Sequence, residues 1–226
     1  MTPDAVSRAI HDVVDLFTPE VARTQAMIDE CHRLSYEASS VGRTSLSGHN
    51  SYGCDEFDSH SKHIALVSRA DGKVMATVRL VLPVPGDSDG SFPMRRICIT
   101  PFADGMPFET TAEVSRFAVS RMERRFNQSA LMRLALIQGL VRASGETGLT
   151  HWCAALDPPL LRLLDMTAVH LARLGPPVRS GGLAVQPCFN SISAILDGAR
   201  RDRPPIWDYL TENGRLWPLS CGKPGG

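Results

Sequence analysis

The segment from Thr111 to Arg121, TAEVSRFAVSR, places an acid and a base beside an apolar run, FAV, that is typical of a buried strand. Burying an ionised group costs several kcal/mol unless the group is paired. Glu113 and Arg116 are therefore either members of a structural ion pair or charged groups that face a ligand cleft. In a regular strand the two side chains point to opposite faces of the sheet. Both reach one cleft only if a bulge intervenes or Glu113 precedes the strand.

The composition is that of an ordinary globular protein. The 226 residues are 43% hydrophobic and 21% charged, which suits one large domain or a domain with extensions. Lys plus Arg balances Asp plus Glu at 24 each, so no global field attracts nucleic acid or an anionic membrane. Six cysteines without a CxxC pair favour reduced thiols. An acidic N-terminus, and no apolar run of ~20 residues, predict a soluble cytoplasmic protein without a secretory signal or membrane segment.

The N-terminal part of the chain has helical periodicity. Apolar residues recur at helical spacing up to Phe17, which predicts a first helix that ends before Pro19. A second helix is predicted from Pro19 to about Glu37. Between Ala38 and Ser61 the composition turns to Ser, Gly, Asn and His, which indicates a loop.

A β-hairpin follows, in which HIALVSR and KVMATVRLVLP are joined by the turn ADG. Strict alternation puts Arg79 in the middle of the second strand among apolar neighbours, so it needs an anionic partner, either a carboxylate or a ligand. Further strands are predicted near Arg96, from about Val114 to Val119 and at THWCAAL, and VRSGGLAVQP is a candidate to close the sheet. Helices are predicted at 130–143 and at PPLLRLLDMTAVHLARLG. This order indicates an α/β domain with an open, partly antiparallel sheet.

Several common functional motifs are absent from the sequence. It contains no GxxxxGK, GxGxxG, HExxH or GxSxG. His60 and His63 are three residues apart, but no second pair completes a tetrahedral site at a usual spacing, so we expect no metal ion.

The remaining candidates are acids and arginines from three segments. They are Asp55 and Asp58 in CDEFDSH, Arg79 in ATVRLVL, and Glu113 with Arg116 in AEVSRF. A purely structural ion network and a functional cleft are both compatible with these residues, because buried ion pairs also occur in ordinary cores.

The order of the motifs resembles that of acyl-homoserine-lactone synthases and, more closely, the N-acyl amino acid synthases and exosortase-associated acyltransferases, all of the GNAT superfamily. The motifs that carry the resemblance are RLSYE, DEFDSHSKH, RLVLPVPGDSDGSFP, EVSRFAVSRMERR and LLRLLDMTAVHLARLGPPVRSGG. They extend roughly from Cys31 to Ala199. Two positions depart from the pattern. Gly53 stands where lactone synthases carry a glutamate, and Ser35 stands where the relatives usually carry arginine.

The resemblance implies a GNAT-type α/β (α+β) fold, an open mixed sheet with splayed central strands flanked by helices. In such a fold the strand ending in FAV separates from its neighbour and pairs with the amides of a phosphopantetheine arm. The next helix, from about Asn127, would direct its N-terminal amides at the arm's phosphate. Arg121, Arg124 and Arg125 would then bind the phosphate or an acidic acyl carrier protein.

The resemblance also implies the reaction, which is direct aminolysis of an acyl thioester by a free amine. Glu113 would be the general base, directly or through a water molecule. Arg79 or Arg116 would bind the carboxylate of the acceptor, and Asp55 and Asp58 would orient the arginines or the amine.

Tyr36, Phe117 and Val119 lie within the matching motifs and complete the expected substrate site. The apolar side chains of the hairpin and of LMRLALIQGLV can line a tunnel for a fatty chain or form plain core.

We therefore expect a helical extension at 1–30, a GNAT-like domain at 31–215 and a tail at 216–226. The expected protein is an N-acyltransferase that moves a long acyl group from acyl carrier protein to an amino acid. Its co-substrate is an acyl-phosphopantetheine thioester, on carrier protein or coenzyme A, without a tightly bound cofactor. Two alternatives remain: a lactone synthase that uses S-adenosylmethionine, and a non-catalytic relative that binds a carrier protein or lipid.

Overall fold

The computed structural model describes residues 10, 13–39, 53–87, 90–97, 106–120, 126–180 and 182–217. Its strands are β1 (Phe17–Val21), β2 (Ser61–Ser68), β3 (Val74–Val81), β4 (Thr111–Val119), β5 (His151–Leu156), β6 (Ala172–Arg173), β7 (Val178–Ser180) and β8 (Leu183–Ser191). Its helices are α1 (Gln25–Ser39), α2 (Phe126–Thr147), α3 (Pro158–Met166), α4 (Ile192–Asp202) and α5 (Pro204–Thr211), with 3₁₀ turns at Glu56–His60, Pro93–Arg96 and Phe108–Thr110.

The strands form one mixed sheet in the order β1-β2-β3-β4-β5-β8-β6, and β7 pairs with β8. All neighbours are antiparallel except β4 and β5, which are parallel. This architecture confirms the predicted α/β class with an open, partly antiparallel sheet. No helix among the described ranges is both long enough and apolar enough to cross a bilayer.

The N-terminal part of the prediction is wrong at β1. The segment Phe17–Val21 is an edge strand paired with β2, and α1 begins only at Gln25. Pro19 lacks an N–H and fits an edge strand, while the alternation of Phe17, Pro19 and Val21 has the period of a strand. This strand belongs to the main sheet. The domain division, with a helical extension at 1–30 and limits at 215 and 216, stays a prediction.

The predicted hairpin is confirmed as β2 and β3, in which His63 faces Arg79 and Ile64 faces Val78. Alternation divides the sheet into two faces. One face carries His63 and Arg79 and is covered by α1. The opposite face carries Ile64 and Val78 in the main core and is covered by α2.

The helix α2 lies very close to the sheet. A Cβ at Gly139 would lie only 2.5 Å from Cγ2 of Ile64 and 3.2 Å from Cβ of Pro19. Glycine therefore permits a close approach that a larger residue would block. This packing confirms that the helix predicted around 130–143, apolar on nearly all sides, lies against the sheet.

Three later predictions need correction. Helix α3 ends at Met166, where Thr167 caps it and Ala168 adopts a φ of +58°; the end of the predicted helix is strand β6 instead. A 3₁₀ turn occupies Pro93–Arg96, and no strand begins by Ile97, the last described residue before a gap. Strand β8 lies beside β5 inside the sheet, and α4 and α5 follow it.

Candidate active site

A bulge in β4 decides where its charged side chains point. Arg79 faces Ser115 and Thr77 faces Ala118, so one more residue lies on β4 than on β3 between these pairs. Arg116 lies in this interval and has a φ of +56°, which is uncommon for a residue with a side chain. The strand therefore has the bulge that the Glu113–Arg116 spacing requires for both side chains to lie on the same side.

Arg79 lies at the centre of a buried ion cluster. Its Nη1 is 2.7 Å from Oδ1 of Asp55 and 2.8 Å from Oδ1 of Asp58, and its Nε donates to Oγ of Ser115 at 3.2 Å. Only 2% of Arg79 is exposed. The partner that its mid-strand position demands is thus a pair of carboxylates.

Arg116 contacts the same two carboxylates from the side of the cluster that is more exposed to solvent. Its Nη2 donates to Oδ2 of Asp55 at 2.7 Å and to the Gly53 carbonyl at 2.6 Å, and its Nη1 lies 3.5 Å from Oδ2 of Asp58. The side chain of Arg116 is 21% exposed, against 3% for Arg79. Arg116 is therefore the guanidinium of the cluster that a ligand can reach.

The DEFD motif is held rigidly by its own hydrogen bonds. Asp55 caps the 3₁₀ turn and accepts the Phe57 N–H at 3.0 Å, while the Asp55 N–H donates to Oδ2 of Asp58 at 2.8 Å. This reciprocal capping box explains the three-residue spacing of the aspartates. Burial acts to raise the pKa of Asp58, but contacts with histidines and Arg79 outweigh it and hold the pKa below its usual range.

Glu113 lies on the same face of the sheet but outside the ion cluster. It faces Val81 on β3, is 2% exposed, and accepts the backbone N–H of Met94 at 2.8 Å. Burial raises the pKa of its carboxyl to about 8. A carboxyl with this pKa can exchange protons in the neutral to mildly alkaline range.

The strands β4 and β5 separate beyond Glu113. They pair only from Thr111 to Glu113 with His151 to Cys153, although both strands continue and are described over their full lengths. A small cavity of about 10 Å³ adjoins this divergence on the α2 side. Its lining is entirely apolar: Val114, Phe117, Ile137, Trp152, Ala154, Leu156, Leu164, Val169 and Leu171.

A histidine cluster that the sequence analysis missed lies against Asp58. Nε2 of His32 on α1 is 3.1 Å from Nε2 of His63 on β2, and these atoms are 3.6 and 3.5 Å from Oδ1 of Asp58. Nδ1 of His32 is 2.9 Å from Sγ of Cys54. His32, Cys54 and Asp58 together can offer metal ligands. The sequence analysis considered His63 only together with His60, and nothing in the sequence paired it with His32.

The remaining predicted residues fall into two groups. Tyr36 is 45% exposed and lies beside Gly53, so it borders the ion cluster, whereas Phe117 lines the apolar cavity and Val119 is buried in the main core. The three arginines predicted to bind phosphate or carrier protein lie outside the described residues: Arg121, Arg124 and Arg125.

The helix expected from about Asn127 begins at Phe126 and is the next described element after β4.

Residues 35–134 match the family model described as an acetyltransferase (GNAT) domain. This match covers less than half of the chain and shows a similarity to GNAT domains, and the predicted resemblance and fold class are confirmed at this level. None of the curated proteins is a significant match in sequence.

Solved structures of similar fold include TofI, in a ternary complex with an inhibitor and MTA, at 21% identity and a TM-score of 0.60, covering 83% of this chain and 99% of that one. The AHL synthase LasI is 16% identical with a TM-score of 0.61, covering 77% of this chain and 89% of that one. FeeM, an N-acyl amino acid synthase from uncultured soil microbes, is 13% identical with a TM-score of 0.57, covering 80% and 93%. At these identities the likeness shows the fold alone.

Proposed function

We propose that the protein transfers a long-chain acyl group from the thioester of an acyl carrier protein to the amine of an amino acid. The observation that carries this proposal is the divergence of β4 from β5, with a charged cluster on one face of the sheet and an apolar cavity on the other. An acyl thioester has the matching chemistry, since a polar tether and carbonyl are joined to an apolar chain. FeeM, which has a similar fold, is an N-acyl amino acid synthase.

On the donor side, the unpaired edges of β4 and β5 would hydrogen-bond the amides of the phosphopantetheine arm. The acyl chain would widen the small cavity next to Phe117 and Trp152 as it enters, and burial of each methylene would contribute about 0.8 kcal/mol. Arg121, Arg124 and Arg125 precede α2 in the sequence. They would bind the arm's phosphate or the acidic surface of the carrier protein.

On the acceptor side, Arg116 would bind the carboxylate of the amino acid. Its partial exposure supports this role, while Arg79 is committed to Asp55, Asp58 and Ser115 and would fix the cluster. A guanidinium fork recognises a carboxylate in a defined orientation. Tyr36 would close the acceptor site from α1.

The acceptor arrives mainly as an ammonium, so a proton must leave before the nitrogen attacks. Glu113 in its ionised form would take this proton, directly or through one water molecule. The free nitrogen then attacks the thioester carbonyl, and a backbone N–H of the divergent strand would stabilise the oxyanion. The thiol of the arm leaves with a proton, and the N-acyl amino acid is the product.

No covalent acyl-enzyme is needed. Cys153 is fully buried, and burial raises the pKa of its thiol well above the ordinary value. A thiol in this state is a poor nucleophile. Cys153 is therefore assigned to the core.

A second candidate is a lactone synthase that uses S-adenosylmethionine, because several structures of similar fold, among them LasI, are lactone synthases. Gly53 argues against it. The position has a φ of +68°, which favours glycine, and it lacks the carboxylate that lactone synthases carry there.

The test is product analysis with purified protein, acyl-carrier-protein thioesters and a mixture of amino acids, with and without S-adenosylmethionine. N-acyl amino acids detected by mass spectrometry support the proposal. An acyl lactone that forms only with S-adenosylmethionine identifies the second candidate. Tight binding of the carrier protein without any product identifies a non-catalytic relative and overturns both.

A further inference from the structure

Three potential ligand atoms converge at the base of the ion cluster. They are Nε2 of His32, Nε2 of His63 and Oδ1 of Asp58, and they come from α1, from β2 and from the turn before β2. We propose that these atoms bind a divalent transition-metal ion, with zinc as the expected ion. This inference does not depend on the proposed acyl transfer.

Two of the three separations match those of atoms that share a metal. The histidine nitrogens lie 3.5 and 3.6 Å from Oδ1 of Asp58, whereas the two nitrogens are 3.1 Å apart and would move slightly further apart around an ion. With metal–ligand bonds of about 2.0–2.2 Å, two ligands of a tetrahedral zinc ion lie about 3.3–3.6 Å apart. Both histidine–aspartate separations are too long for good hydrogen bonds but suitable for two atoms that bind a common ion.

The surroundings supply the outer contacts that metal ligands usually make. Nδ1 of His32 is 2.9 Å from Sγ of Cys54, and an N–H donated there leaves Nε2 with a free lone pair directed at His63. Oδ1 of Asp58 accepts Arg79 at 2.8 Å and retains a second lone pair. Ligating histidines and carboxylates are typically held by hydrogen bonds of this kind.

Burial and residue type favour a site that selects its ion. His32 is 6% exposed and His63 is 5% exposed, so a bound ion would be shielded from water. Two imidazoles and one carboxylate suit zinc and its borderline neighbours, whereas magnesium and calcium prefer oxygen ligands alone.

Cys54 is assigned as an outer partner. Its sulfur lies at Nδ1 of His32, while His63 and Asp58 lie at Nε2. The two nitrogens of one imidazole point in different directions, so a single ion bound to Nε2 does not also bind that sulfur. The alternative to a metal is one proton shared between the two Nε2 atoms.

The experiment measures metal binding directly. Tag-free full-length protein is freed of metal with a chelator and then titrated with Zn²⁺ by calorimetry and with Co²⁺ by visible absorption. We expect saturation at about one equivalent and a cobalt spectrum of nitrogen and oxygen ligands. His63→Gln and His32→Gln should each lower the affinity by about 100-fold or more. His151→Gln, a histidine on β5 outside the cluster, should leave it unchanged.

Cys54→Ser tests the outer shell, and we expect a loss of about 10–100-fold in affinity. The inference is overturned if the unsubstituted protein shows no saturable binding of Zn²⁺ or Co²⁺, in which case the imidazoles share a proton. It is also overturned if both histidine variants bind like the unsubstituted protein, or if a thiolate-to-cobalt band identifies Cys54 as a ligand. Circular dichroism shows whether each variant folds. If His63→Gln does not fold, the metal affinity of His32→Gln on α1 tests the inference alone.

Discussion

The replacement Glu113→Gln separates the stability and the activity of this site. Glutamine keeps the shape of the side chain and can still accept the Met94 N–H, but it cannot ionise. In the wild type, the pKa of Glu113 is raised by burial from 4.5 to about 8. Between these values the unfolded chain releases its proton while the folded chain keeps it, so stability falls as the pH rises.

The slope of this loss is about 1.4 kcal/mol per pH unit, and it levels off above pH ~8. Between pH ~6 and ~8 the wild type should lose about 2 kcal/mol through Glu113, and the Gln variant should not. From pH ~6 to ~8 the free energy of unfolding of the variant should therefore rise by about 2 kcal/mol relative to that of the wild type. This corresponds to about 4–8 °C in melting temperature.

Urea unfolding of both proteins across this pH range measures the difference. Glu109→Gln, an exposed glutamate on the preceding 3₁₀ turn, is the matched control and should follow the wild type. Parallel stability curves for the wild type and Glu113→Gln would refute the assignment of a raised pKa to Glu113.

The same variant tests catalysis. If ionised Glu113 takes the proton from the amine, Glu113→Gln should lower the rate about 100-fold or more. The wild-type rate should also rise towards pH ~8 more steeply than that of the variant. The ionisation of the substrate amine affects the rates of both proteins equally. The ratio of the wild-type rate to the variant rate therefore depends on pH only through Glu113. Near-normal turnover with unchanged pH dependence would exclude the base role.

Three further predictions concern the ion cluster and the donor site. Arg79→Met should destabilise the fold by about 3–5 kcal/mol in urea unfolding, because it leaves two aspartates without their central partner; a change below ~1 kcal/mol would contradict this. Arg116→Lys should raise KM for the acceptor about tenfold or more with little change in KM for the donor, since the fork is lost; equal changes in both would contradict the assignment. Replacing Arg124 and Arg125 by Ala should raise KM for the acyl donor, and an unchanged value would make them surface charge.

The sequence predicted correctly the elements whose apolar residues recur with a clear period. Strict alternation around Arg79 predicted both the hairpin and the need for an anionic partner, because a strand among apolar neighbours leaves a buried guanidinium no access to water. The hydrophobic period gave a wrong prediction at Phe17–Val21, because the apolar pattern of this short edge strand also fits the end of an amphipathic helix. It failed again after Met166, where the apolar spacing continues but Ala168 adopts a left-handed conformation that ends α3.

The site was predicted only in part. The spacing of Glu113 and Arg116 required a bulge, but no local signal placed it, because the bulge depends on how β4 pairs with β3. The histidine cluster was invisible to motif spacing, since His32 and His63 are 31 residues apart and meet only through packing of α1 on β2. The divergence of β4 from β5 came from the family resemblance alone.

The central claim is that an acyl thioester binds between β4 and β5, with its tail in the apolar cavity and its carbonyl near the ion cluster. A crystal structure with a non-hydrolysable acyl-phosphopantetheine analogue tests it most directly. We expect the arm to pair with the backbone of β4 beyond Glu113 and the tail to lie against Phe117 and Trp152. An analogue bound on another surface, with the gap between the two strands unchanged, would contradict the account.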